Sequence, residues 1–168
     1  TAFVSIKESP ISIRWFTPSI EVDLCGHATL ASARILFDYY PSLAGEEINF
    51  DSRSGTLKVT KCVDGLCLNF PVDQPVLTAL DPLFIRILDI EPLKLLRGKD
   101  DFLAVFENQK QIEDMQPSFA LLKKINARGL VISAPGNEVD FVSRCFYPEA
   151  GIEEDPVTGS AHTMLTPY

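Results

Sequence analysis

An α+β fold in two similar lobes follows from three features of the sequence. Strand-like and helix-like segments alternate without the regular βαβ spacing of a parallel sheet. One pattern, Arg-x-Phe-x-Pro, then acidic residues, then Gly-x-Ala, is written twice. Between the two copies, "FPVDQPV" (70–76) carries two prolines in seven residues and reads as a hinge. The first lobe is therefore placed at 1–72 and the second at 77–168. The 168 residues suffice for one domain or two small lobes, and a hydrophobic content of 46% is that of a globular chain.

Residues 1–7 and 11–16 ("ISIRWF") read as short strands around a Ser9-Pro10 turn. "TPSIEVDLC" reads as a loop. From Gly26 or His27 to Tyr40 the pattern is helical, with Leu30, Ala33, Leu36, Phe37 and Tyr40 on one stripe and Pro41 ending it. Strands are expected at 46–50, 56–61 and 66–70, with Gly55 and Asp64-Gly65 as turns. Residues 78–98 are apolar and helix-prone; Pro82 suits a first turn, and Pro92 starts a new segment. A strand at 102–106, a helix near 118–125, strands at 129–134 and 140–146, and a helix from about Gly159 complete the pattern. The chain opens in mid-strand with "TAFVSIK" and stops at "TMLTPY", inside the last helix, so a piece of a longer protein is expected.

The net charge of −8 argues against nucleic acid or an anionic membrane as partner. No apolar run approaches the length of a membrane span, and the opening residues do not read as a secretory signal. The four cysteines (Cys25, Cys62, Cys67, Cys145) lack zinc-ligand spacing, and no metal site is expected. Cys62 and Cys67 flank a turn at Val63-Asp64-Gly65, a spacing that admits a disulfide, but they are read as reduced core thiols of a cytoplasmic protein.

In the repeat, Arg14-Trp15-Phe16-Thr17-Pro18 corresponds to Arg144-Cys145-Phe146-Tyr147-Pro148 at an offset of 130. Gly26-His27-Ala28 corresponds to Gly159-Ser160-Ala161 at an offset of 133. Each copy ends where a helix is expected to start. Bare glycine there leaves amides with no intrahelical partner, at the positive end of the helix dipole. Each start is a candidate carboxylate- or phosphate-binding end, and two lobes facing each other would present both to one cleft. Glu21, Asp23 and Asp155 are either capping charges or site residues. His27, beside Gly26, is read as functional and His162 as structural. Cys25 is either an inert thiol or a proton-transfer group.

"RWFTPSIEVDLCGHATLAS" and "GIEEDPVTGSAH" resemble the two signature regions of the PhzF-like family, named for phenazine biosynthesis. "NFPVDQP" resembles its interdomain hinge. The resemblance covers the whole chain. It implies a diaminopimelate epimerase-like fold, in which two pseudo-symmetric lobes each wrap a curved mixed sheet around a central helix. It also implies a cofactor-independent isomerase acting by acid/base proton transfer on a small carboxylate-bearing substrate. His27 and Asp155 would be catalytic, and Cys25, Gly26, Gly159 and Ser160 would bind substrate. A two-cysteine racemase is excluded on residue identity, with Cys25 read at the first base position and Asp155 at the second. The family's principal acid/base is a glutamate in an Asn-Leu-Ser-Glu-Thr segment. Thr1-Ala2-Phe3-Val4 are the residues that normally follow it, so this chain is expected to lack that glutamate and to be inactive alone. A homodimer is compatible with the resemblance. The alternative is a non-catalytic binding or interaction protein that keeps the fold and an anion site.

Overall fold

The computed structural model describes residues 1–7, 9–17 and 20–168. Pro18, which closes the first Arg-x-Phe-x-Pro motif, lies outside the described residues. The chain forms two compact units, Thr1–Pro71 and Val72–Tyr168. Its architecture is α+β, two six-stranded sheets with few helices. No helix among the described residues is long and apolar enough to cross a membrane.

In the first unit, β1 (Ala2–Ser5), β2 (Ile11–Phe16) and β3 (Glu21–Val22) precede α1 (Gly26–Tyr39) and α2 (Pro41–Ala44). β4 (Glu47–Ser52), β5 (Gly55–Cys62) and β6 (Gly65–Asn69) follow. Strand alternation sends Ile11, Ile13 and Trp15 of β2, Ile48 and Phe50 of β4, and Leu57 and Val59 of β5 to one face. Against that face lie Ala33, Leu36 and Phe37 of α1, spaced to share one side of a helix. Tyr40, expected on the same stripe, is instead 45% exposed. It follows the last helical residue, where the chain turns off to Pro41. The strand order is β1-β2-β4-β5-β6, with β3 also on β2. β2 and β4 run parallel, which requires a long crossover, and α1 supplies it. α1 contacts both β1 and β6, the two ends of that order, so the sheet curls around the helix.

Cys62 and Cys67 correct the sequence reading: they form a disulfide. Leu57 and Val59 on β5, and Leu66 and Leu68 on β6, point to the core. Cys62 and Cys67 are out of phase with those residues. They fall on the outer face of the hairpin, exposed, with Cα atoms 6.0 Å apart. They are not core thiols.

In the second unit, β7 (Val76–Leu77), α3 (Pro82–Leu88), β8 (Lys94–Arg97) and β9 (Asp101–Val105) lead to α4 (Gln109–Asp114) and α5 (Phe119–Leu122). β10 (Gly129–Pro135), β11 (Phe141–Tyr147), β12 (Ile152–Asp155) and α6 (His162–Leu165) follow, with a 3₁₀ turn at Gly159–Ala161. The sheet order is β12-β11-β10-β9-β8-β7, with only β9 and β10 parallel. This sheet is buried on both faces, which is why "GLVIS" reads as an unbroken small and apolar run. Leu130, Ile132 and Phe146 face α3, α4 and α5. Val131, Cys145 and Tyr147 face Ala161, Met164 and Leu165. Asp73, next to the unit boundary, bonds within the second unit: its N–H donates to the Thr163 carbonyl (3.0 Å) and its carboxylate accepts the Lys99 N–H (2.9 Å).

Within residues 78–98, Pro82–Leu88 is helical, and the new segment after Pro92 is a strand rather than a helix. Asp81 caps α3 by accepting the Leu83 N–H, Pro82 occupies the first turn, and Asp89 ends the helix in the left-handed region (φ 54°). The chain then re-emerges as β8, with Leu95 and Leu96 on opposite faces of the sheet. α2, α4, β3, β7 and β12 were not expected from the sequence. α4 carried a signal: Asn108 and Gln111 form a capping box, the Asn-x-x-Gln spacing that marks helix starts.

Candidate functional site

The Arg-x-Phe motif builds the same device in both units. In the first, β2–β3 pairing sets Glu21 opposite Phe16. Arg14 clasps Glu21 with two bonds, Nε to Oε1 (2.7 Å) and Nη2 to Oε2 (2.6 Å), and lies 5.2 Å over the Phe16 ring. Arg53 adds a second cation on Glu21 at 2.9 Å. The Arg14 hydrogen bond, with both positive charges, holds the Glu21 carboxyl below its ordinary range. In the second unit, Arg144 clasps Glu154 (2.7 and 2.8 Å) and lies 5.2 Å over Phe146. Its Nη1 also donates to the Ile112 and Met115 carbonyls.

Past this clasp, the first copy enters α1. Cys25 is the extended N-cap residue and Gly26 the first helical one, and no side chain caps the helix. Among the described residues the first-turn amides therefore have no intrahelical or side-chain cap partner. Gly26 is buried, and a Cβ there would run into the Phe70 ring, which would have to shift. Thr29, fully buried, donates its hydroxyl to the Cys25 carbonyl (2.7 Å) and fixes the entry. Cys25 Sγ lies 3.7 Å from His27 Nε2 and 3.9 Å from Nδ1, within thiol–imidazole hydrogen-bond reach. His27 itself is exposed. Of the sequence-selected residues, Cys25, Gly26 and His27 thus form one cluster.

The second copy reaches its helix start through a connection three residues longer. Asp155, on β12, pairs in register with Cys145. Its Oδ2 accepts the Thr158 hydroxyl (2.6 Å) and its Oδ1 the Val157 N–H (3.4 Å). These two bonds tie the carboxylate to its own loop. Thr158 is the extended N-cap residue before Gly159. His162 Nδ1 lies 3.3 Å from the Thr158 carbonyl, and Ser160 Oγ lies 3.4 Å from Arg128 Nη2. Beneath the loop, burial pushes the Cys145 thiol up to about 11, against hydrogen bonds from Thr158 and Tyr147. Asp155, Gly159 and Ser160 form the second cluster.

The residues directly before Gly26 and Gly159 are Cys25 and Thr158, both extended helix caps. The partner of Cys25 in the repeat is thus Thr158, and Asp155 falls level with Val22. The offset of 133 already held this equivalence in the sequence.

The arginine clasp gives acid sensitivity. The Arg144 hydrogen bond, offset in part by burial and helped by charge, keeps Glu154 below its ordinary value of 4.5. A depressed folded-state value means that the pair's stabilisation is full above that ordinary value and disappears as pH falls through the folded one. With Glu154 38% exposed, the contribution is about 0.5–1 kcal/mol. Denaturant midpoints are expected to fall from pH 6 to pH 3, and R144M to flatten that profile. A profile unchanged in R144M would assign the acid sensitivity elsewhere.

The family described as "Phenazine biosynthesis-like protein" matches residues 1–168. A protein of Halalkalibacterium halodurans, described as an uncharacterized isomerase, is 43% identical over 171 residues, all of this chain and 64% of that protein. The mouse phenazine biosynthesis-like domain-containing protein 2 is 35% identical over 182 residues, 96% of this chain and 62% of its own length. The crystal structure of a PhzF-family protein from Enterococcus faecalis superposes with a TM-score of 0.84 at 42% identity, over 99% of this chain and 64% of that one. The chain thus spans a little under two thirds of these relatives' length. With the motif repeated in both sheets and the match running from Thr1 to Tyr168, the chain belongs to the phenazine biosynthesis-like (PhzF) family.

Proposed function

We propose that the intact protein is a cofactor-independent isomerase that moves a proton within a small carboxylate-bearing substrate. The observation that carries this reading is the Cys25–Gly26–His27 cluster: a thiol and an imidazole in hydrogen-bond reach beside uncapped helix-start amides. Amides of that kind hold a carboxylate, and an imidazole beside them can pass a proton to or from the adjacent carbon. His27 hydrogen-bonds the substrate or relays the proton. Asp155 orients the substrate or shares in the transfer; Gly26 in the first unit, and Gly159 and Ser160 in the second, are carboxylate-binding positions through backbone and hydroxyl groups. The relatives named isomerases support the reaction class. We assign the principal base to a glutamate of a Ser-Glu-Thr segment, a sequence these 168 residues do not contain. We place the lobes at 1–72 and 77–168 with a hinge within 70–76, and the protein in the cytoplasm, compatible with a homodimer.

The test is exchange with solvent. The full-length protein, incubated in deuterium oxide with a panel of small unsaturated and hydroxy carboxylates, is expected to add one mass unit to a carbon-bound position of its substrate. The 168-residue chain alone is expected to add none. Tight carboxylate binding without any exchange by the full-length protein would favour the non-catalytic reading.

A further inference from the structure

Ser160 rests on a cluster that the reading above does not use. Arg128 stands directly before β10, where parallel pairing sets Gly129 opposite Asp101 of β9. Its Nε donates to Asp101 Oδ1 (2.9 Å) and its Nη2 to Asp101 Oδ2. Asp101 is only 3% exposed, and Tyr147 Oη lies 3.5 Å from its Oδ2. The Arg128 guanidinium lies 5.2 Å over the Tyr147 ring, and the Arg128 N–H donates to the Asp100 carbonyl (2.8 Å). Gly129 is bare because a Cβ would strike the Tyr147 ring and the Phe146 carbonyl. The guanidinium is thus held by a carboxylate, a ring and its own backbone. Asp101 outweighs burial and keeps the Arg128 cation in place at any working pH.

Nη2 carries two hydrogens. One meets Asp101, and the other faces Ser160 Oγ at 3.4 Å. A guanidinium only donates, whereas a hydroxyl both donates and accepts. Ser160 Oγ must therefore accept from Arg128, and its own hydrogen is left for something else. Among the described residues no acceptor takes it; Thr163 bonds the Ser160 backbone carbonyl instead.

We propose that Arg128 is a positioning residue that fixes the Ser160 hydroxyl as a donor with a cation behind it, so that this subsite takes a carboxylate and refuses an ammonium or neutral amide group. The inference rests on the reading of Ser160 as a substrate-binding residue.

The experiment uses the full-length protein, with malonate as probe and neutral malonamide as its isostere, followed by calorimetric titration. Wild type is expected to bind malonate and not malonamide. R128M and S160A are each expected to weaken malonate about tenfold, the worth of one hydrogen bond to a charged group. Their combination is expected to lose no more than either alone, because the two act as one unit. S160T, which keeps the hydroxyl, should retain binding. R128K guards against misfolding: it keeps a cation beside Asp101 but lacks the planar fork, and should weaken malonate like R128M while melting near wild type. Malonate bound equally by wild type, R128K and R128M would overturn the inference alone. So would losses that multiply in the double variant, since independent contacts behave that way. No malonate binding by wild type, with deuterium exchange intact, would overturn the Ser160 subsite and leave the isomerase reading standing.

Discussion

Replacing His27 with alanine in the full-length protein is expected to lower solvent deuterium incorporation by about 10²–10⁴-fold, the usual worth of a placed acid/base group. The same change should leave the fold almost untouched. His27 is exposed, and its only recorded side-chain partner among the described residues is the Cys25 thiol. Exposed substitutions of this kind stay within about 0.5 kcal/mol. The pairing of a large kinetic loss with an unchanged melting temperature is what separates a site histidine from a structural one. Exchange kinetics and a thermal melt on one preparation decide it. Turnover within twofold of wild type would remove His27 from the mechanism. Cys25→Ser is the companion variant: it keeps a hydrogen-bonding group beside the imidazole, so a smaller loss is expected if the thiol only supports His27.

The contrast between what the sequence told and what it hid has a physical origin. β2, α1 and β10 were legible because each is long enough to show its period. Ile11, Ile13 and Trp15 alternate, Ala33 and Phe37 lie one turn apart, and "GLVIS" is an unbroken run. The two clusters were legible because glycine before a helical pattern is a local signal. The strand after Pro92 was hidden because a short apolar run has no period of its own, so Leu95 and Leu96 look equally helical and extended. The cysteine pair failed on phase rather than on composition. Extending the Leu57–Val59 and Leu66–Leu68 alternation would have put Cys62 and Cys67 outside. The Arg128–Asp101 pair had no local signature at all. Two parallel strands bring those residues together across 27 positions, and only tertiary structure records it.

Phe146→Ala is expected to cost about 3–5 kcal/mol, whereas Phe16→Ala, at the same place in the repeat, should cost about 1–2 kcal/mol. Both rings stack under the arginine of the clasp at 5.2 Å. Their other sides differ. Phe146 is fully buried in the core built by α3, α4 and α5, with the Phe119 ring 6.1 Å away edge-on. Among the described residues of the first unit no helix packs on that face, and Phe16 stays partly exposed against Phe3, itself 60% exposed. The motif is duplicated, but its burial is not, so truncation leaves a cavity only in the second copy. Trp15, the single tryptophan, is buried in the first unit and reports on that unit by its fluorescence. Amide exchange in β10 and β11 reports on the second. In F146A those β10 and β11 amides should lose protection by about two to four orders of magnitude, the about 3–5 kcal/mol above read as an opening free energy. In F16A the Trp15 transition should move only slightly. Equal losses at the two positions would mean that the outer face of the first sheet is covered in the intact protein, and that the clasp arginines, rather than the helices behind Phe146, set the energetics of the motif.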